Sequence, residues 1–196
     1  MDESYDIFRF EANDIKPKKG RVLIAEPFLE GEYFHRSVIL LTEFSDEGAV
    51  GFVLNKPVHL NVNEVITDLE VFKSEVFVGG PVQNNQVYYL HTVPELIPNS
   101  FQILDNLFWG GDFEILKELI SLKKIEHNQI RFFAGYSGWS AGQLEDEIKE
   151  NSWLVSSLDL TDLMSVDNND IWKKALSQLG GNYKLWANFP KDQNMN

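Results

Sequence analysis

Residues 37–55, SVILLTEFSDEGAVGFVLN, contain the clearest structural pattern in the chain. Two apolar runs, residues 37–42 and 49–55, are rich in the β-branched and aliphatic side chains typical of strands. Between them lies the polar segment Ser45-Asp46-Glu47-Gly48, which has the length and residue types of a hairpin turn. The sequence therefore predicts two antiparallel strands joined by this turn.

Further strands and several helices are predicted around this hairpin. The strand-like runs cover residues 21–25, 75–78, 87–91 and 130–134. Helices are predicted near 63–69 with Asn63 as the cap, after Asp112, over 140–150 with Ser140 as the cap, and from Asp170 to Gly180-Gly181. The pattern indicates an α+β fold with a largely antiparallel sheet.

Composition limits the classes of function. The 196 residues suit one domain, and we expect a polar N-terminal arm over residues 1–20 followed by a single domain over 21–190. Seventeen basic against 30 acidic residues give a formal net charge of −13, which disfavours direct binding to nucleic acid. The chain has no cysteine, so disulfides and thiolate chemistry are excluded. An acidic N-terminus without a signal pattern, and apolar runs far shorter than the ~20 residues of a membrane span, predict a cytoplasmic protein.

The string Gly138-Trp139-Ser140-Ala141-Gly142 matches the G-x-S-x-G pattern of a nucleophile elbow. In that class of hydrolase the histidine follows the serine, whereas the last histidine here is His127. A capping role for Ser140 needs no base and is the preferred interpretation. A serine hydrolase using Ser140 stays open as an alternative, and whether the protein is an enzyme is left undecided, with a noncatalytic role favoured.

Metal and cofactor motifs are lacking in the sequence. The four histidines are too widely spaced to form a ligand pair such as H-x-x-x-H, and neither of the two common glycine-rich nucleotide-binding fingerprints is matched. We therefore expect neither a metal nor a cofactor. The glycines at 135, 138 and 142 would still let the backbone approach a ligand closely.

Five separate strings resemble the AlgH/YqgE family of bacterial proteins. They are FHRSVILL (34–41), EGAVGFVLNKP (47–57), VGGPVQ (78–83), LHT (90–92) and GYSGWSAGQLEDEI (135–148), the last followed by NSWL (151–154). Their order and spacing extend the resemblance over about residues 20–185. It implies a bent, bifurcated sheet that forms a pseudo-barrel flanked by helices.

The resemblance also implies a cytoplasmic regulatory protein of unknown activity that binds a small-molecule ligand or a protein partner. Relatives often carry the label of transcriptional regulator, so direct DNA binding is a further alternative, although the sequence offers no helix-turn-helix pattern and no basic face. Glycine is common in the family where this chain has Ser140, which weakens the hydrolase alternative. The implied recognition groove, which is rich in glycine and aromatic residues, consists of Arg36, Ser37, Asn55, Lys56, Gly79, Gly80, Pro81, His91, Tyr136, Gly138, Trp139, Gln143 and Glu147.

Overall fold

The computed structural model describes residues 10–70, 72–167 and 170–189. Ten strands are defined within these ranges: β1 (Val22–Ala25), β2 (Val38–Ser45), β3 (Gly48–Val53), β4 (Pro57–Asn61), β5 (Glu75–Val78), β6 (Val82–His91), β7 (Phe101–Leu104), β8 (Leu107–Trp109), β9 (Ile130–Ser140) and β10 (Trp153–Ser156). The helices are α1 (Val62–Val65), α2 (Phe113–Ser121), α3 (Gln143–Lys149), α4 (Leu160–Met164), α5 (Ile171–Leu179) and α6 (Tyr183–Trp186), with one 3₁₀ turn, His127–Gln129.

The strands form one branched, largely antiparallel sheet. Its main path is β10-β1-β2-β3-β9-β6-β8-β7, and β5 pairs in parallel with β9 while carrying β4 on its other side. Strand β9 is therefore the branch point, because it pairs with β3, β5 and β6. The predicted α+β class with a largely antiparallel sheet is confirmed.

The predicted hairpin is confirmed, since β2 and β3 pair antiparallel with Ser45 opposite Gly48. Side chains of both strands alternate between two layers of buried residues. Leu40 and Phe52 belong to one apolar cluster, and Ile39 and Val53 belong to another on the opposite face. The first half of β2 and the second half of β3 are apolar because both faces of this part of the sheet are covered.

Two helix starts were predicted correctly. Asp112 accepts hydrogen bonds from the backbone N–H groups of Glu114 and Ile115 at the start of α2. Helix α5 begins directly after Asp170 and ends at Gly180, whose φ of 74° is easily adopted by glycine.

Two predicted caps are wrong. Ser140 is the last residue of β9, where it pairs with Gly48 of β3, and α3 begins only after Gly142. Pairing with β3 keeps the chain extended for longer than the capping pattern suggested. In the other case Asn61, not Asn63, precedes the short helix α1, which ends by Ile66. Strands β4, β7, β8 and β10 were not predicted from the sequence.

The described part of the N-terminal arm packs on the sheet. Asn13 donates a 2.7 Å hydrogen bond to the Val155 carbonyl and accepts one of 3.1 Å from the Val155 N–H. This side chain thereby pairs with the backbone of β10 as a neighbouring strand would, and it shields an edge of the sheet. Residues 1–9 of the expected arm lie outside the described residues.

Candidate functional site

A cleft of about 220 Å³ opens where three separate parts of the chain meet. We call it the Arg36–Lys56 cleft. The loop before β2, the turn between β3 and β4, and the start of α5 supply its walls, which consist of His35, Arg36, Asn55, Lys56, Asp170, Trp172 and Lys173. Arg36, Asn55 and Lys56 are the residues of the predicted groove that the structure brings together around this opening.

Arg36 is held firmly at the cleft. Its side chain is only 7% exposed, and its guanidinium carbon lies 4.8 Å from the centre of the Trp172 ring. A guanidinium N–H also donates a 3.0 Å hydrogen bond to the carbonyl of Phe189. Burial lowers the pKa of Arg36 from its ordinary value of 12.5. A guanidinium group nevertheless stays positively charged at neutral pH.

Asn55 and Lys56 fix the backbone next to Arg36. The Asn55 amide donates to the Arg36 carbonyl at 2.9 Å, and its oxygen accepts from the Val38 N–H at 3.0 Å. The Lys56 ammonium donates to the His35 carbonyl at 2.8 Å. These bonds explain why an asparagine and a lysine follow β3, because they hold the loop before β2 in an unusual conformation that includes a φ of 50° at Arg36.

The cleft carries more positive than negative charge. Among the described lining residues, Arg36, Lys56 and Lys173 contribute three cationic side chains and Asp170 contributes one carboxylate. Lys173 is exposed, and its side chain has no hydrogen bond or ion pair with any described residue. Helix α5 begins at this cleft. No described side chain caps the backbone N–H groups of its first turn. A helix start of this kind adds to the attraction for an anion.

The glycine corner of the predicted groove serves close packing of the chain. A Cβ atom built on Gly79 would lie 2.1 Å from the Gly135 carbonyl oxygen, and one on Gly80 would lie 2.4 Å from the Ser137 backbone nitrogen. The Gly79 carbonyl accepts bonds from the Val53 N–H and the Ser137 hydroxyl. Glycine is required here because β5 and β9 approach too closely for a side chain.

Pro81, Tyr136 and Gly138 lie around the junction of β6 and β9. Val82, directly after Pro81, pairs with Tyr136, and the Tyr136 ring packs edge-on against Tyr88. Gly138 pairs with Val50 of β3 on the other side of β9. Tyr136 and Gly138 belong to the sheet and Pro81 directly precedes β6, and none of the three lines the Arg36–Lys56 cleft.

Trp139, Gln143 and Glu147 form a network that attaches α3 to the sheet. One oxygen of Glu147 accepts the indole N–H groups of Trp139 and Trp153, both at 2.8 Å. Its other oxygen accepts from the Gln143 amide at 3.0 Å. The motif that resembled a nucleophile elbow thus places its aromatic and acidic residues in contacts that stabilise the fold.

Ser140 takes part in the same network. Its hydroxyl donates to the Gln143 side-chain oxygen at 3.1 Å, and its backbone N–H donates to the same atom at 3.0 Å. His35, His59 and His91 make their hydrogen bonds to other groups, and the His127 ring lies tilted against Phe72. The described geometry therefore gives the serine a glutamine partner and no base.

The two remaining residues of the predicted groove are fully buried. Ser37 directly follows Arg36, and its hydroxyl has no partner among the described residues. His91, at the end of β6, hydrogen-bonds to the Gly110 carbonyl and to the Val93 N–H, away from the Arg36–Lys56 cleft. Burial is the main influence on His91 and lowers its pKa.

Sequence reasoning missed four residues of the cleft: His35, Asp170, Trp172 and Lys173. The sequence predicted a helix from Asp170 that contains Trp172 and Lys173. This prediction is correct, but it gave no indication that the helix lies beside the loop before β2. The contact between the Arg36 guanidinium and the Trp172 ring joins residues 136 positions apart, and no local pattern signals it.

The structure defines an α+β protein with a branched sheet and a small polar cleft beside the start of α5. Comparison with known proteins identifies its family. The family model described as AlgH-like (DUF179) matches residues 22–184. The chain belongs to this AlgH-like family, as the five sequence strings indicated.

Relatives and solved structures agree with this assignment. A UPF0301 protein of Parabacteroides distasonis is 42% identical over 193 residues, covering 97% of this chain and 98% of the relative. Another, from Bacteroides fragilis, is 40% identical over the whole of both chains. The solution structure of the AlgH protein from Pseudomonas aeruginosa has a TM-score of 0.69 and 28% identity over 88% of this chain and 94% of its own. A crystal structure from Corynebacterium diphtheriae has a TM-score of 0.72 and 27% identity over 91% and 95% of the two chains.

The described residues also bear on membranes and metals. None of the helices in this part of the chain combines the length and the apolar character needed to cross a bilayer. Within the same ranges, no three histidine or acidic side chains come together as a candidate metal site.

Proposed function

We propose that this protein is a noncatalytic binding protein whose ligand carries a small anionic group, and that the Arg36–Lys56 cleft holds that group. The observation that supports this most strongly is the meeting of three cationic side chains from distant parts of a chain whose net charge is −13. Such a local positive site in an acidic protein is well suited to a carboxylate or a phosphate.

The size and stiffness of the cleft favour a small group. A volume of about 220 Å³ lies below the range of roughly 300–1,000 Å³ that is typical of sites for drug-sized molecules. The hydrogen bonds of Asn55 and Lys56 fix the adjoining backbone before any ligand arrives, so little ordering would oppose binding. We propose that the cleft takes the anionic head of a ligand whose remainder extends into solvent.

The broader role is proposed as regulatory. Residues 21–190 would form a single cytoplasmic binding domain. The cleft would bind either an anionic metabolite, as a signal of its presence, or an acidic group on a protein partner. Direct contact with DNA is not part of the proposal, because the net charge of −13 opposes approach to a phosphate backbone.

Isothermal titration calorimetry with inorganic phosphate and with acetate at low ionic strength tests the binding proposal. We expect at least one of these anions to bind the wild-type chain, and we expect Lys173→Gln to weaken binding about fivefold through loss of one cation. Lys174→Gln is the matched control, because its ammonium pairs with Asp162 and does not line the cleft. Absence of binding, or equal effects of the two substitutions, would contradict the proposed site.

A fluorophosphonate probe tests the noncatalytic part of the proposal. The Ser140 hydroxyl donates a hydrogen bond to the Gln143 side chain, which is not a base. We therefore expect the folded protein to remain unlabelled at Ser140. Labelling of the wild-type chain that disappears in Ser140→Ala would show an activated serine, and the noncatalytic assignment would then be wrong.

A further inference from the structure

A second and larger cleft lies on another part of the molecule. We call it the Phe72–His127 cleft. It has a volume of about 690 Å³, within the usual range for organic ligands, and shares no lining residue with the Arg36–Lys56 cleft. Its lining consists of Glu70, Phe72, Lys73, Ile120, Lys123, Ile125, Glu126, His127 and Asn128.

The floor of this cleft is apolar and partly aromatic. Phe72, Ile120 and Ile125 are buried, whereas His127 is exposed and lies against the Phe72 ring at 4.3 Å between centroids with the planes inclined by 32°. The tilted imidazole thus lies beside an apolar base. A flat apolar group would find both a ring and aliphatic side chains to pack against.

The charged side chains around the floor differ in whether they already have a hydrogen-bond or ion-pair partner. Glu70 accepts a 3.0 Å hydrogen bond from the Ser121 hydroxyl. The side chains of Lys73 and Lys123, by contrast, make no hydrogen bond or ion pair with any described residue, although the cleft also contains Glu126. The His127 ring and the Asn128 amide also lack hydrogen bonds within the described ranges. Two ammonium groups and two further polar side chains are thus available at the cleft.

We propose that the Phe72–His127 cleft binds an organic anion with a flat apolar body, such as an aromatic carboxylate. The body would pack on the floor and against the His127 ring, and Lys73 and Lys123 would contact the anionic group. The proposal is independent of the proposed function, because it concerns different residues and a ligand that is recognised by its apolar body as well as by its anionic group.

An adjoining cleft gives a longer ligand space to extend. It has a volume of about 490 Å³ and shares Lys73, His127 and Asn128 with the Phe72–His127 cleft. Ser74 lines it, is only 4% exposed, and has a hydroxyl without a partner among the described residues. An unpaired buried hydroxyl is costly, so a polar substituent that reached it would add to affinity after a small rotation of the side chain.

NMR titration of the ¹⁵N-labelled chain with 1-naphthoate tests the proposal, with the neutral 1-naphthalenemethanol as the matched probe. We expect naphthoate to shift the amide signals of Lys73, His127 and Asn128 and to bind at least about fivefold more tightly than the alcohol, because the ammonium groups attract the carboxylate. The double variant Lys73→Gln/Lys123→Gln should reduce naphthoate affinity to that of the alcohol. Both lysines are exposed, so the variant should fold normally.

Two choices keep the two clefts distinct. Naphthoate affinity is taken from the amide signals of Lys73, His127 and Asn128, so that binding of the carboxylate at the Arg36–Lys56 cleft does not enter the value, and Lys184→Gln, at an exposed residue of α6, should leave this affinity unchanged. Equal affinity for the acid and the alcohol, unchanged binding in the double variant, or shifts confined to other surfaces would overturn the proposal. Inorganic phosphate that bound this cleft as tightly as naphthoate would also overturn it, since the apolar floor would then contribute nothing.

Discussion

Asn55 donates a 2.9 Å hydrogen bond from its side-chain amide to the backbone carbonyl of Arg36, across 19 positions of sequence. The same side chain accepts a 3.0 Å bond from the Val38 N–H. One residue therefore fixes the loop on both sides of Ser37 and sets the position of Arg36 at the cleft. The conformation of the proposed site depends on this pair of bonds.

Replacement of Asn55 should affect both stability and binding. Asn55→Ala leaves the Val38 N–H and the Arg36 carbonyl without their partner, which should lower the free energy of unfolding by roughly 1–3 kcal/mol. Anion affinity should fall as well, because the loop that carries Arg36 is loosened. Urea unfolding and calorimetry measure the two effects. Asn55→Asp is the control, since its carboxylate can still accept from Val38 but cannot donate to Arg36. Stability equal to wild type in the alanine variant would contradict this role.

The Glu147 network should be important for stability and not for ligand binding. Glu147→Ala removes the acceptor of two indole N–H groups, those of the buried Trp139 and Trp153, and we expect a loss of about 2–4 kcal/mol in unfolding free energy. Glu147→Gln keeps an acceptor oxygen and should lose less. Urea unfolding followed by tryptophan fluorescence is the measurement. A strong loss of anion binding in a folded Glu147→Gln protein would show that this network acts at the site instead.

Substitution by alanine should destabilise the protein much more at Gly79 than at Gly142. A Cβ on Gly79 would collide with the Gly135 carbonyl, so Gly79→Ala should destabilise the protein by roughly 3 kcal/mol or more. Gly142 has open space around it and a φ of 77°, so Gly142→Ala should cost only about 1–2 kcal/mol of backbone strain. Midpoints of urea unfolding give the comparison. A larger effect at position 142 would contradict the close approach of β5 and β9.

The buried His91 should make stability depend on pH. The Val93 N–H donates to Nδ1, so Nε2 carries the proton and donates to the Gly110 carbonyl. Burial, the largest influence, lowers the pKa of His91 below its ordinary value of 6.5, while the Gly110 carbonyl and Glu95 act in the opposite direction. The neutral form is therefore favoured in the folded state. This contribution to stability is complete above pH 6.5 and is lost as the pH falls from there toward the lowered pKa.

His91→Gln isolates this effect, because glutamine can donate to Gly110 but does not titrate. Below pH 6.5 the free energy of unfolding should fall more steeply in wild type than in the variant, by at most about 1.4 kcal/mol per pH unit for one proton. Urea unfolding at a series of pH values between 5 and 7.5 measures the slopes. Parallel slopes in the two proteins would mean that His91 is not held neutral by burial.

The sequence predicted the β2–β3 hairpin, the start of α2 and both ends of α5, because each is determined by neighbouring residues. Ser45 to Gly48 form the turn, Asp112 caps the helix, and Gly180 ends another. The Ser140 cap failed because a tertiary contact prevailed over a local preference. Pairing of β9 with β3 keeps Ser140 extended. The Gln143 side-chain oxygen then accepts a hydrogen bond from the Ser140 backbone N–H.

The candidate site could be predicted only in part for the same reason. Arg36, Asn55 and Lys56 were identified through strings that the family shares, and two of them are joined by a direct hydrogen bond. Trp172 and Lys173 are brought to the cleft by the packing of α5 beside β1, which includes a bond from the Trp172 indole to the Ala25 carbonyl across 147 positions. Hydrophobic periodicity predicts that such a helix exists, but it does not specify the strand against which the helix packs.

The most direct test of the proposed site follows the backbone amide signals of the ¹⁵N-labelled chain during titration with inorganic phosphate at low ionic strength. We expect saturable shifts centred on Arg36, Lys56 and Lys173, and we expect them to be strongly reduced in Lys173→Gln but preserved in Lys174→Gln. Saturable shifts elsewhere with these three residues unmoved, or no saturable shifts at all, would contradict the assignment of the Arg36–Lys56 cleft as an anion site.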